Sequence, residues 1–235
     1  MGYRVKMRER NTVAGDILVF RVERPEGFAF LAGQFCNVSA PDLASGNREG
    51  LRKALSIASS PLEKDLLFMV RLTTSAFKRT LREMPEESRL DIGSPAGSFV
   101  LPADIDTPLV FLAGGMGVAP FRSMLRYAAD AATGHTITLF YSSRVPEEAL
   151  FLDEFGQIAA RIAGIEVVAT ITRPEQSAEA WHGATGRLTP KMIRDGCADW
   201  SRAAYYLSGP PAMVEGMRSV LGETQIARDR MKQEI

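Results

Sequence analysis

Along the first hundred residues apolar and polar positions alternate in short runs separated by turn-forming residues, the period expected of half-buried strands. Thr12–Val22, Phe28–Ala32, Gln34–Ser39, Ala54–Ala58, Leu66–Leu72 and Leu90–Ile92 are read as strands, and strands of this length and spacing predict an antiparallel barrel or sandwich. One helix interrupts them at Ser75–Met84, where Phe77, Leu81 and Met84 recur at i, i+4 and i+7. The stretch from Leu101 to Pro108 fits neither period and marks a boundary, giving domains over 1–103 and 104–235.

Beyond the boundary strands alternate with helices. Strands are expected at Leu109–Ala113, Thr136–Tyr141, Glu166–Thr172 and Ala203–Ser208, and helices at Val118–Ala132, Glu147–Ala163, Pro190–Cys197 and Ala212–Leu221. This βαβ progression predicts a mostly parallel sheet covered on both faces, and ligands of such sheets bind outside the carboxyl ends of the strands. Gly114, Tyr141, Thr172 and Ser208 all fall at such ends.

Composition narrows the classes of partner. The chain has 235 residues, 46% apolar and 24% charged, with 28 basic and 28 acidic side chains, so no net charge drives binding to nucleic acid. Two cysteines, Cys36 and Cys197, stand outside any ligand spacing, and two histidines, His135 and His182, are far apart, so no metal site is expected. The N-terminal residues lack the apolar stretch of a signal peptide, and no run approaches the roughly 20 residues that span a bilayer. A cytoplasmic protein without a membrane span is the expectation.

Two segments carry candidate chemistry. Ala113-Gly114-Gly115-Met116-Gly117-Val118-Ala119-Pro120 follows a buried strand and opens a helix, a turn that aims backbone N–H groups and the positive end of a helix dipole at one spot, as a pyrophosphate requires. Arg52-Lys53-Ala54-Leu55-Ser56-Ile57-Ala58-Ser59-Ser60-Pro61 places cations before a strand that ends in hydroxyls, offering charge to a phosphate and short donors to a heteroaromatic ring.

In their order and spacing these segments resemble the ferredoxin–NADP reductase superfamily over nearly the whole chain. The resemblance extends to Ala32-Gly33-Gln34-Phe35, Gly97-Ser98-Phe99-Val100-Leu101, Tyr141-Ser142-Ser143-Arg144, Gly186-Arg187-Leu188-Thr189 and Ser208-Gly209-Pro210-Pro211-Ala212-Met213. It implies an antiparallel Greek-key β-barrel that binds FAD, followed by a Rossmann-like α/β domain that receives NADPH or NADH. By that resemblance Lys53, Ala54, Leu55, Ser56 and Ile57 form the flavin strand, with Lys53 at the pyrophosphate, Leu55 where an aromatic packs on the isoalloxazine, and Ser56 beside flavin N5. Arg52 or Arg71 shares the work of Lys53, and Ser75, Ala76, Phe77 and Lys78 form a second phosphate-binding turn at a helix start, with Lys78 or the backbone facing the pyrophosphate. Gly114, Gly115, Met116, Gly117 and Pro120 receive the dinucleotide; Ser208, Gly209 and Pro210 lie beside the nicotinamide, where Ser208 is catalytic with Ser56. Ser142, Ser143 and Arg144 offer hydroxyls and a guanidinium for a 2′-phosphate, which tilts the expectation toward NADPH and leaves NADH open.

The chain departs from the family where Lys53 replaces arginine, Leu55 replaces tyrosine and Ser208 replaces cysteine, while Glu234 aligns with a terminal acidic residue. The implied activity is FAD-dependent oxidation of NAD(P)H, with electrons passed to a separate ferredoxin, flavodoxin or oxygenase component. An NAD(P)H:flavin reductase and a non-catalytic flavin-binding electron-transfer subunit are the alternatives.

Overall fold

A computed structural model describes residues 2–14, 16–40, 51–85 and 87–234. The Gly-, Ser-, Asn- and Asp-containing loop from Ala40 to Arg52, which its sequence suggests is flexible, lies largely outside the described residues. The chain divides into two compact units, Met1–Leu101 and Pro102–Ile235.

The first unit contains β1 (Gly2–Val13), β2 (Ile17–Glu23), β3 (Phe35–Ser39), β4 (Arg52–Ser56), β5 (Asp65–Arg71), α1 (Ala76–Glu83) and β6 (Arg89–Gly93). All its ladders are antiparallel, in the order β4-β3-β6-β1-β2-β5. The sheet is barrel-like but not closed by a continuous ladder. Just past β4, however, Ala58 N–H donates to Leu67 O of β5 at 2.8 Å and draws the two edges together. Inside, Phe20 and Phe68 stack with ring centres 5.5 Å apart, and Tyr3 meets Phe28 edge-on at 5.4 Å.

Two expected strands differ. Thr12–Val22 straddles a hairpin turn, since Val13 pairs with Ile17 and the chain reverses through Ala14 and Asp16. Phe28–Ala32 is irregular: Phe28 and Phe30 reach the core while the backbone closes turn bonds to Pro25 and Gly27 rather than a ladder. The first strand, β1, alternates buried Val5 and Met7 with Arg4, Lys6 and Arg8, and the charges hide its period. Helix α1 buries Phe77 and Leu81 as its spacing predicts, with Met84 buried at its C-cap. Its open C-terminal carbonyls are capped from β1, where one Arg10 nitrogen donates to Leu81 O at 2.8 Å and Met84 O at 2.7 Å.

The second unit contains β7 (Leu109–Gly114), α2 (Ala119–Asp130), β8 (Ile137–Ser143), α3 (Leu152–Arg161), β9 (Ile165–Ile171), β10 (Ala184–Thr185), α4 (Pro190–Gly196), β11 (Ala204–Ser208), α5 (Pro211–Glu223) and β12 (Met231–Gln233). Every pairing is parallel, in the order β10-β9-β8-β7-β11-β12. The central strand β7 is buried along its whole length, which is why its sequence is an unbroken apolar run. The order runs outward one way from β7 through β8 and the other way through β11, so the topological switch lies between β7 and β11.

The expected helix Glu147–Ala163 resolves into a single turn at Pro146–Glu148 and α3, divided by Phe151 in a left-handed conformation (φ 63°). The break is held by Arg122 of α2, which forks onto Glu154 at 2.8 and 2.9 Å and lies over the Phe151 ring. His135 is a structural clip: its Nε2–H donates to Pro102 O at 3.0 Å, and Nδ1 accepts from the Thr133 hydroxyl at 2.8 Å. Among the described residues no helix is long and apolar enough to cross a membrane.

Candidate functional site

In the first unit the flavin-strand residues divide between two faces. Cross-strand pairing sets Lys53 opposite Val38 and Leu55 opposite Cys36, both core residues, whereas Ala54 and Ser56 pair with Asn37 and Phe35 on the other face. Leu55 packs against the core from one face of β4, and Ser56 lies on the other. The hydroxyls of Ser59 and Ser60 are also spoken for: Leu67 N–H donates to Ser59 Oγ at 3.1 Å and Leu62 N–H to Ser60 Oγ at 3.2 Å. Both serine oxygens thus accept backbone N–H groups and help to fold the strand end. Ile57 is buried, with its N–H donated to Gln34 O at 2.9 Å, which ties the flavin strand to the Gly33-Gln34-Phe35 turn.

The head of α1 has the chemistry of an anion seat. Ser75 occupies the N-cap position, yet its hydroxyl makes no capping bond and is buried without a hydrogen-bond partner. A buried, unpartnered hydroxyl at a helix N-terminus is costly unless something else binds there. Around it, Lys78 is held below the ordinary lysine range, first by partial burial and then by the neighbouring cations Lys53 and Arg71, against a smaller opposing effect of Asp16. Lys53 and Arg71 are thus near enough to act on the charge of Lys78, and Arg71 is gripped by Asp16 at 2.8 Å. Lys53, Arg71, Ser75 and Lys78 are brought together here, Ala76 is exposed in the same turn, and Phe77 anchors the turn to the core. This donor set fits a phosphodiester: one hydroxyl, helix N–H groups and ammonium or guanidinium charge.

In the second unit the glycine turn is a short 3-10 segment, Gly115–Val118, after which α2 begins at Ala119 with Pro120 in its first turn. The expected helix start at Val118 is therefore one residue early. Gly115 has a left-handed backbone (φ 50°), and a Cβ there would meet nothing within 4 Å, leaving open space over the turn. Gly117 has a different reason. A Cβ on it would lie 2.4 Å from the carbonyl carbon and oxygen of Ser208, so this glycine lets the β7 turn pass against the end of β11. The turn and the Ser208-Gly209-Pro210 loop thereby line one crevice at the switch point, flanked by the N-termini of α2 and α5. Met116 is half-buried in that turn.

Ser208 is buried at the end of β11, and its hydroxyl donates to the Glu234 carboxylate. Strand β12 pairs with β11 and carries Glu234 to that position, with Glu234 N–H donating to Leu207 O at 3.1 Å.

The end of β8 is arranged differently from expectation. Ser142 pairs with Gly114 and stands beside the glycine turn. Ser143 is buried; its hydroxyl points to Glu148 O at 3.5 Å and its carbonyl accepts from Thr172 N–H at 2.9 Å, a structural role rather than a contact for a phosphate. Arg144 forks onto the carboxylate of Glu148 at 2.6 and 3.2 Å. Sequence reasoning passed over Glu148, although its position four residues after Arg144 is a recognised pairing distance. It also passed over Glu147, whose carboxylate is kept below its ordinary range chiefly by the Ser177 hydroxyl, which donates to it at 2.7 Å.

An antiparallel barrel-like unit with a cationic helix head, joined in sequence to a parallel α/β unit with glycine turns at its switch point, defines the ferredoxin–NADP reductase class of fold. Residues 111–219 match the oxidoreductase NAD-binding domain family. Over its whole length the chain has the fold of a Neisseria gonorrhoeae ferredoxin–NADP reductase solved with FAD and NADP, with a TM-score of 0.82 at 20% identity, covering 99% of this chain and 98% of that one. A cytochrome P450 reductase from Amycolatopsis superposes with a TM-score of 0.84 at 23% identity, covering 100% of this chain and 69% of the other.

Among curated proteins, the chain is 30% identical over 193 residues to the toluate 1,2-dioxygenase electron transfer component of Pseudomonas putida, covering 80% of this chain and 53% of that protein. It is 24% identical over 221 residues to the propane 2-monooxygenase reductase component of a Gordonia strain, covering 92% and 62%. The chain thus spans a little over half the length of the curated relatives it matches.

Proposed function

We propose that this chain is an FAD-dependent NAD(P)H oxidoreductase unit that passes electrons to a separate acceptor, a ferredoxin, a flavodoxin or an oxygenase component. In this reading residues 1–103 bind FAD and residues 104–235 bind the nicotinamide nucleotide. What supports it is that each unit, taken by itself, has features that suit a phosphate: the orphaned Ser75 hydroxyl beside Lys78, on whose charge Lys53 and Arg71 act, in one, and the open Gly115 turn at the β7/β11 switch in the other. The family match of residues 111–219 and the reductase names of the relatives support the same assignment.

Ser75, Lys78, Lys53 and Arg71 would hold the FAD pyrophosphate, and Ser56 would face the ring from the outer side of β4. Bound there, FAD supplies the exchange between a two-electron donor and one-electron acceptors. The Gly114–Pro120 turn, through Gly114, Gly115, Met116 and Gly117, would receive the dinucleotide phosphates. Gly209 and Pro210 would shape the nicotinamide pocket, and Ser208, oriented by Glu234, would position the ring by a hydrogen bond. The sequence has only two cysteines, so any cysteine-ligated cluster in the electron path belongs to a segment or protein outside these 235 residues. Two buried, unpaired thiols fit a cytoplasmic, reducing setting.

Purified protein reconstituted with FAD is expected to be yellow and to bleach on anaerobic addition of NADH or NADPH. A bound flavin that neither nucleotide reduces would refute the oxidoreductase assignment.

A further inference from the structure

We infer that the second unit discriminates against the 2′-phosphate of NADPH and takes NADH, because the one guanidinium at the end of β8 is already bound to Glu148. The inference rests on the proposal that the β7/β11 switch receives a nicotinamide dinucleotide, and it reverses the tilt toward NADPH that the Ser142-Ser143-Arg144 segment suggests by itself.

Position comes first. Gly114 and Ser142 are ladder partners on neighbouring strands, so the end of β8 lies about 5 Å from the glycine turn. In open α/β sheets this neighbouring strand end meets the adenosine ribose, and a free arginine there accommodates a 2′-phosphate. Arg144 is at that end, but it is not free. Its Nη2 donates to Glu148 Oε1 at 2.6 Å and its Nε to Oε2 at 3.2 Å, the two-point geometry in which both planar groups are matched. The pair is unequal in exposure, with the Arg144 side chain 53% exposed and that of Glu148 only 10%.

That inequality decides the direction. A phosphate that recruited Arg144 would strip the guanidinium from a carboxylate with little access to water, and would set a dianion beside it. The backbone of Glu148 is held in place, its carbonyl accepting from the Tyr141 hydroxyl at 3.4 Å and from the Ser143 hydroxyl at 3.5 Å. The surrounding charge points the same way. Glu147 adds a second carboxylate to the turn, fixed by Ser177, while Arg173 on the next loop, whose N–H donates to Arg144 O at 2.8 Å, is the exposed rival cation that the test below addresses. A neutral ribose 2′-hydroxyl meets none of these penalties.

The test compares two probes that differ only in the 2′-phosphate, 5′-AMP and 2′,5′-ADP, by calorimetric titration of the intact FAD-loaded chain, with NADH and NADPH oxidation measured alongside. Wild-type protein is expected to bind 2′,5′-ADP several-fold more weakly than 5′-AMP. Glu148→Gln, which keeps the side-chain shape and removes the charge, should raise affinity for 2′,5′-ADP by about tenfold with no matching gain for 5′-AMP, and Arg144→Ala in that background should abolish the gain. Wild-type binding of 2′,5′-ADP as tight as, or tighter than, that of 5′-AMP overturns the inference, whether Arg144→Ala or Arg173→Ala removes it; this comparison stands even if Glu148→Gln does not fold. Binding of neither probe, together with oxidation of neither nucleotide, overturns the dinucleotide site itself and the inference with it.

Discussion

Replacing Gly117 with alanine adds one methyl group at the closest approach between the β7 turn and the end of β11. The added Cβ would lie 2.4 Å from the carbonyl carbon and oxygen of Ser208 and 2.5 Å from the nitrogen of Gly209. Ordinary van der Waals contact begins near 3.4 Å, so about 1 Å of separation has to be found. No flexible side chain can give way, because all three obstructing atoms are backbone, and Ser208 is laddered to Ala113 of β7. Forcing an extra carbon into such a site costs about 1–3 kcal/mol, or about 2–4 °C of melting temperature per kcal/mol in a chain of this size.

The matched control is Gly216→Ala in the interior of α5, where a Cβ would meet nothing within 4 Å and alanine should stabilise by about 0.5–1 kcal/mol. Both tryptophans, Trp181 and Trp200, belong to the second unit, so urea unfolding followed by tryptophan fluorescence reports that unit directly. Opposite signs for the two substitutions are expected, with slower flavin reduction by NADH in Gly117→Ala only. Equal stability of Gly117→Ala and wild type, within about 0.5 kcal/mol, would refute the packing argument.

Three further outcomes are expected. Lys78→Ala should weaken FAD binding by about tenfold at low salt and less at high salt, measured by fluorescence titration of apoprotein, because the lost charge faces a phosphate. Arg122→Ala should destabilise the second unit by about 3–5 kcal/mol, since it strips a partner from Glu154 across a site where Arg122 is only 5% exposed. Stability should fall as pH rises above 9: burial pushes the Cys36 thiol from 9.0 up to about 12 and the Tyr205 hydroxyl from 10.0 to about 12, so the unfolded chain loses these protons before the folded one does. Below pH 9 both groups are neutral in either state and the effect vanishes; Cys36→Ala should remove the part that begins near 9, as read from urea midpoints between pH 8 and 10.5.

The parallel unit was legible in sequence because each central strand is apolar on both faces and each helix carries its own amphipathic stripe. Strands β7, β8, β9 and β11 fall within a few residues of expectation. The two strands that escaped, β10 and β12, are two and three residues long, too short for any period to register. In the barrel-like unit, β1 escaped for another reason: cations on its outer face make a twelve-residue strand look like a polar terminus. Phe28–Ala32 misled in the opposite sense, since alternating apolar residues need only a core to bury into and not a neighbouring strand to pair with.

At the candidate site the divide is between backbone and side-chain requirements. A glycine turn announces itself because few other sequences can take its path, and the same holds for the proline that opens α2. Side-chain chemistry is conditional on neighbours that local spacing does not reveal. Arg144 reads as a phosphate ligand until Glu148 closes on it, and the Ser59 and Ser60 oxygens turn out to accept the N–H groups of Leu67 in β5 and of Leu62 in the preceding turn. Ser75 adds something that no spacing reveals, a hydroxyl at a helix N-cap that the fold buries and leaves without a partner. Burial of an unsatisfied polar atom is destabilising in the empty protein, so the binding of an anion there would be coupled to the stability of α1. FAD should therefore slow amide exchange over 76–83 more than elsewhere in the first unit, and Ser75→Ala should leave the apoprotein as stable as wild type or more so while weakening FAD binding. An apoprotein clearly destabilised by Ser75→Ala would mean that the hydroxyl already has its partner within the fold, and would remove the strongest single mark of the flavin seat.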